Sequence, residues 1–412
     1  MTTLGLVAAL IRRAPFTWAF HALGLAVAVA VLGSVLILQR AAEERLTRDL
    51  AGIDLVVGAK GSPLQLVTST LFQVDAPTGN IPLSVQTTLA RDPLVEAAVP
   101  VSLGDSVAGV RIVGTTKEYL DLYSATVGQG AIWDNSMQAV LGAEAARRLS
   151  LSIGDSFAGE HGLAGGEAHA EQPYQVVGIL RPTGAVIDRL ILTDLSSVWA
   201  LHQHDDGTDA SEGRHDHGHG HDHQVVSETS LDNALQITAV LVRYRSPLAA
   251  VVLPRRISGT PDLQPAAPPE EARRLNALVG AGSRAIAGLG VALLILSGLG
   301  FMIALIAAVT ARRREIALLR ALGGAPGRMM SLSLTEGALL GMVGGLLGAL
   351  GARAVAQVVA TAGPGGHPLP LPAPGGTEAL LLVVALGLAV VGSVAPGWIA
   401  ARTSVVRTLG GG

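Results

Sequence analysis

Four apolar runs, each long enough to cross a bilayer, constrain this 412-residue chain more than any other feature. A membrane helix needs about 20 mostly apolar residues, and it must satisfy its own backbone hydrogen bonds because lipid offers none. The runs cover Thr17–Leu38, Ala285–Val309, Leu332–Ala352 and Glu378–Ile399. The first holds no charge, and the third carries a single acid near its start, Glu336. Composition agrees: 49% of residues are hydrophobic and 15% charged, against about 25% charged in soluble domains. The first run exceeds the roughly 7–15 residues of a secretory signal core, and no small-x-small cleavage site closes it. It is therefore read as a retained anchor.

Arginine sets the expected orientation, because basic residues concentrate in cytoplasmic loops. Arg12 and Arg13 precede the first run, Arg312, Arg313, Arg314, Arg320 and Arg328 lie between the second and third, and Arg402 and Arg407 follow the fourth. The loop Gly363–Gly376 has neither Lys nor Arg. Both termini are then expected in the cytoplasm and the long middle segment outside. The expected fold class is four transmembrane α-helices with a large α+β extracytoplasmic domain inserted between helices one and two. The expected division is 1–38 (cytoplasmic N-terminus and first span), 39–284 (outer domain with stalks) and 285–412 (remaining spans). On the third span Gly337, Gly341 and Gly345 recur every fourth residue, as do Gly344 and Gly348. That spacing lets helix backbones approach closely in lipid.

Inside the outer segment, Gln39–Leu50 and Glu271–Arg284 read as charged helices extending the first and second spans, a pair of stalks. Between them, Ile53–Gly58, Val107–Gly114, Tyr174–Leu180, Leu190–Thr193 and Ile237–Tyr244 have the composition of strands, bounded by turn residues. Ala143–Leu149 and Leu195–His202 read as helices. The Pro-rich stretch Ser258–Pro269 reads as a linker. The chain has no Cys, which excludes disulfides and thiolate metal sites. A formal net charge of −3 gives no basic field for nucleic acid. Gly58–Ser62 lacks the spacing of a phosphate-binding loop. The sequence contains no Walker motif, nucleophile elbow or H-E-x-x-H, so no catalytic residue is assigned and no enzymatic activity is expected of this chain.

Seven of the eleven His fall between His202 and His223, with a core RHDHGHGHDH that ends at His223. Asp205, Asp206, Asp209, Asp216 and Asp222 are interleaved. Imidazole and carboxylate suit Zn²⁺, Ni²⁺ or Cu²⁺, so His215, His217, His219, His221 and His223 are candidate ligands, with Zn as the candidate ion. Alternating His in a Gly-containing tract offers several ligand sets and fixes no single geometry. A solvated low-complexity loop is the competing reading of 202–223.

The segment Ala311–Met330, ARRREIALLRALGGAPGRMM, resembles the region of FtsX/MacB-type ABC permeases with the pattern R-R-x-E-I-x-x-L-R-A-L-G-A. Ser393–Leu409 is similar to that family's closing signature, with Ser404 and Val405 where the family often has proline. Leu10–Pro15 resembles its opening, and Ala143–Phe157 and Tyr174–Arg189 resemble the MacB periplasmic core. The resemblance touches all four spans and the outer domain.

It implies a permease subunit in the cell inner membrane that borrows ATP hydrolysis from a separate ATP-binding subunit. It also implies a second permease copy, in a homodimer or heterodimer, and it is compatible with a periplasmic adaptor or binding protein. The docking segment would be Arg313, Arg314, Glu315, Ile316, Leu319, Arg320 and Leu322, with Leu318 adding apolar contact. The leading functional expectation is mechanotransmission: ATP-driven motion of the spans is passed to the outer domain, and substrate is exported or extracted without a channel. Two alternatives are a signalling scaffold that regulates an extracytoplasmic partner, and metal-linked transport or sensing through the His tract.

Overall fold

The computed structural model describes residues 3–50, 52–73, 76–162, 172–205, 235–321, 325–362 and 369–402. They form two compact units: residues 1–44 with 278–412, and residues 45–277. Two helices, Pro15–Asp49 and Pro268–Ala311, belong partly to each unit.

The first unit is a bundle of four helices long and apolar enough to span a membrane: Pro15–Asp49, Gly280–Ala311, Gly327–Thr361 and Gly376–Ala401. A further helix, Thr3–Arg13, precedes them. Its boundary follows from Pro15, which disfavours helical geometry at Ala14. Its Val7 is 1% exposed, and the helix packs against the third span. Arg312 interrupts the second span, and a separate short helix, Arg313–Ala321, follows.

The second unit is a mixed α+β domain. Its strands are β1 (Leu55–Ala59), β2 (Ile81–Pro82), β3 (Val95–Val107), β4 (Val110–Thr115), β5 (Val127–Gly130), β6 (Gln138–Leu141), β7 (Ser156–Phe157), β8 (Glu160–His161), β9 (Tyr174–Leu180), β10 (Ile191–Asp194), β11 (Gln236–Ile237), β12 (Ala239–Tyr244) and β13 (Leu263–Ala266). The main sheet runs β13-β1-β12-β3-β4-β10-β6-β9-β5, with β7 on β9 and β8 on β3; β2 and β11 pair separately. β10 runs parallel to β4, and β6 parallel to β9; the other pairs are antiparallel. The β3–β4 hairpin turns on Ala108 and Gly109, at φ 46° and 75°. Two positive φ angles match the right-handed twist of the flanking strands.

Both faces of the sheet are covered. One apolar cluster joins Val56, Leu66, Val101, Tyr119, Trp133 and Ile187, and another joins Leu55, Val57, Leu89, Val240, Leu253 and Ile257. Alternate residues of β1 thus feed opposite clusters, as the period-two geometry of a strand requires.

The linker reading of Ser258–Pro269 is corrected. Residues Ala249–Ser258 are helical, β13 pairs with β1 in the register Val57↔Pro265, and a helix starts at Pro268. Proline suits these places because an edge strand and the first helical turn each leave backbone N–H groups without an internal partner. Gly58–Ser62 is the end of β1 and its turn: Ser62 caps the helix Pro63–Thr70, its Oγ accepting from Gln65 N at 3.4 Å.

Candidate functional site

The third span carries two glycine faces. On one, a Cβ placed on Gly341 would lie 2.8 Å from Leu386 Cα, and a Cβ on Gly345 3.0 Å from Ala385 Cβ. Gly337 lies against Ser393 and Ala389, so this face meets the fourth span. On the other, a Cβ on Gly344 would lie 3.1 Å from Ala22 O and one on Gly348 2.8 Å from Ala26 O, so this face meets the first span. Gly290 approaches Leu32 and Gly298 approaches Leu388, which ties the second span to the first and fourth.

On the helix Arg313–Ala321, Ile316 N donates to Arg312 O at 3.0 Å, which carries the hydrogen-bond ladder across the break. Ala317 is fully buried and Ile316 half-buried, whereas Arg314 and Leu318 are exposed. Positions four apart share one helix face. Arg314 and Leu318 therefore form a charged and apolar pair on the outward face. The side chains of Arg313, Glu315, Leu319 and Arg320, and all of Leu322, lie outside the described residues.

The chain's entry into the outer domain is held by buried charge. Arg189 Nη2 donates to Asp49 Oδ2 at 3.1 Å, with side-chain exposures of 11% and 4%. Arg45 Nε lies 3.8 Å from the same oxygen. Arg48 Nε donates to Gly184 O at 3.2 Å, and Tyr123 donates its hydroxyl to Asp49 O at 3.4 Å. The receiving turn is itself rigid: Asp188 accepts from Thr183 N, Thr183 Oγ1 and Gly184 N at 2.7–3.0 Å. Two side chains at the end of the first long helix, Arg48 and Asp49, thus hold Gly184 and Arg189 of the domain, with Arg45 beside Asp49 on the same helix.

At the return, Glu271 and Ala272 are buried and Glu271 accepts from Arg274 at 3.2 Å. In the bundle, Gln39 donates to Ser283 at 2.8 Å. Arg353 on the third span pairs with Glu378 on the fourth at 2.9 Å and donates to Pro372 O at 2.6 Å. Glu378 also accepts from Gly375 N at 2.9 Å.

Two family models match the chain: the MacB-like periplasmic core domain over residues 19–247 and the FtsX-like permease C-terminal over residues 287–405. The chain belongs to the MacB/FtsX-type permease family. Permeases of this family are components of ABC transporters that work with an ATPase subunit. The chain is accordingly a membrane protein with an extracellular domain.

Solved structures similar to it are periplasmic or extracellular domains. The periplasmic region of MacB from Actinobacillus actinomycetemcomitans is 12% identical, covers 56% of this chain and 95% of its own, and has a TM-score of 0.34. The extracellular domain of the noncanonic ABC-type transporter YknZ from Gram-positive bacteria is 12% identical, covers 52% and 97%, and has a TM-score of 0.29. A domain of a permease protein from Porphyromonas gingivalis is 13% identical, covers 51% and 80%, and has a TM-score of 0.28. No curated protein sequence matches the chain.

For this MacB/FtsX-type permease, sequence reasoning passed over four features. These are the first helix Thr3–Arg13, the partners of the two glycine faces, the Arg353–Glu378 pair and the Asp49–Arg189 pair. Each of the last three joins residues far apart in sequence, which no local pattern registers. Among the described residues no cluster of three or more His, Asp or Glu could hold a metal ion. The candidate ligands His215, His217, His219, His221 and His223 lie outside the described residues, as do the side chains of His202 and His204.

Proposed function

We propose that this chain is the permease subunit of a mechanotransmission-type ABC transporter, with both termini in the cytoplasm. A separate ATPase subunit docks on the segment 313–322, and a second permease copy completes the membrane assembly. Nucleotide-driven motion of the first two spans then passes to the outer domain, which moves substrate outside the bilayer. The observation that carries this reading is the junction of Arg48 on Gly184 and Asp49 on Arg189, with Arg45 beside Asp49. In this reading the helix Pro15–Asp49, which runs from the first span into that junction, passes displacement of the span to the domain.

The test is a complex reconstituted with its ATPase subunit and carrying Glu315→Ala and Arg320→Ala. Loss of assembly and of coupled ATPase activity is expected, and unchanged assembly and coupling would sink the docking role. Orientation is checked separately. The chain has no Cys, so single cysteines placed at residue 5 and residue 134 report sidedness directly. Labelling of residue 134 from outside and of residue 5 only after permeabilisation is the expected result.

A further inference from the structure

The extracytoplasmic unit carries a groove of about 1010 Å³. That is at the upper end of the roughly 300–1,000 Å³ typical of small-molecule sites. Its walls come from the end of β12 and the turn Arg245–Pro247, one face of the helix Ala249–Ser258, the end of β13 and the first turns of the helix that starts at Pro268. The helix Ala249–Ser258 explains why a face is left open. Ala249, Leu253 and Ile257, four apart, are buried in the apolar cluster beneath it. Ala250, Val251, Pro254 and Arg255 are thereby turned toward the groove, with Val251 53% exposed. Pro63, Pro247, Pro254, Pro265 and Pro269 all line it. Proline fixes its own φ, so the walls are stiff before anything binds, and a preformed site loses less entropy on binding.

The charges in the groove are unequally committed. Three arginines, Arg245, Arg255 and Arg273, and three acids, Asp54, Glu270 and Glu271, line it; Arg273 donates to Pro269 O at 3.1 Å, Glu271 is paired with Arg274, and Asp54 Oδ2 accepts Tyr244 N–H at 2.7 Å. Among the described residues neither Arg245 nor Arg255 has a side-chain hydrogen-bond or carboxylate partner, and of the acids only Glu270 is in that position. Burial, with Asp54 and Glu270 nearby, pushes the Tyr244 phenol up to about 12. Guanidinium groups match phosphate oxygens in planar, charge-assisted pairs. The apolar strip of Ala250, Val251 and Pro254 beside them suits a hydrocarbon tail.

We propose that this groove binds an anionic amphiphile, a phosphate head with a short apolar tail, the head met by Arg245 and Arg255 and the tail laid on Val251 and Pro254. The site is separate from the transport reading and stands without it. The test is calorimetric titration of the full chain, held in an uncharged detergent, with hexyl phosphate, inorganic phosphate and 1-hexanol. Hexyl phosphate should bind saturably and at least about tenfold more tightly than either comparator, because only it satisfies both halves of the groove.

The double variant Arg245→Ala/Arg255→Ala should weaken hexyl phosphate by about tenfold or more, the scale of lost charge-assisted hydrogen bonds, while its thermal transition is unchanged. Val251→Trp should block hexyl phosphate by filling the tail strip. The proposal is overturned if hexyl phosphate does not bind, if the double variant binds it as well as the parent chain, or if inorganic phosphate binds equally tightly.

Discussion

In the membrane bundle the closest approaches are made by the smallest residue. Gly341 and Gly345 meet the fourth span, and Gly344 and Gly348 meet the first. In the extracytoplasmic domain the interior is filled by large side chains, with Trp133, Tyr119 and Tyr174 each under 2% exposed. The difference follows from the solvent. Lipid tails are as apolar as leucine, so burying a large apolar side chain between spans gains little, and close backbone packing holds the helices together. In water the gain scales with apolar area removed, at about 25 cal/mol per Å², which favours large rings. Charge follows the same division. The Arg353–Glu378 pair of the bundle keeps 28% and 17% side-chain exposure, whereas Arg189 and Asp49 in the domain keep 11% and 4%.

The contrast is most severely tested where large side chains do the packing. Trp133→Ala should cost about 3–5 kcal/mol, as for other large core truncations. It should lower the denaturation midpoint of the domain while the helical signal of the spans persists; a loss confined to the spans would break the comparison. Next comes Asp49→Ala, which strands Arg189 in a buried position and should cost about 3 kcal/mol. Asp49→Leu with Arg189→Met should recover most of that loss in the same denaturation experiment, because a matched apolar pair is often neutral.

In the bundle, Gly341→Leu drives a side chain into the backbone of the fourth span and should destabilise by about 1–3 kcal/mol. Gly300→Leu, where nothing lies within 4 Å of an added Cβ, should stay within about 0.5 kcal/mol. Thermal unfolding in detergent separates the two, and equal melting temperatures would remove the packing role of the glycine face.

The smallest effect is spectroscopic. All four tyrosines lie in the outer domain, and burial raises each phenol above its usual value of 10, with Tyr244 at about 12. The folded chain holds these protons where the unfolded chain releases them. These phenols therefore leave stability unchanged below about pH 10 and lower it as pH rises from there toward the folded values. Phenolate absorbance should be absent at pH 10 in the folded protein and present after denaturation, with Tyr244 titrating first.

Much of this architecture was legible along the chain. The four spans, the strand Tyr174–Leu180 and the helix Ala143–Leu149 each announce themselves through local periodicity or run length. β13 did not, because its prolines carry the signature of a linker, and it becomes a strand only because the open edge of β1 is available to pair with it. The helix Thr3–Arg13 is too short for the length rule that finds spans, and it is held by packing against the third. The candidate site divides the same way. The amphipathic segment after the second span is a local pattern, while Asp49 and Arg189 stand 140 residues apart in the chain.

Run length, charge asymmetry and glycine spacing are local quantities. They were enough to settle that this chain enters a membrane, which segments do so and where its water-facing domain is inserted. Which glycine face meets which helix, which arginine closes on Asp49, and that an outward helix face beside Arg245 and Arg255 leaves a groove, are pairings between distant segments. Each pairing depends on shape and burial that exist only after the chain has folded. The physical reason is that solvent selects segments one at a time, whereas close packing and desolvated charge select partners.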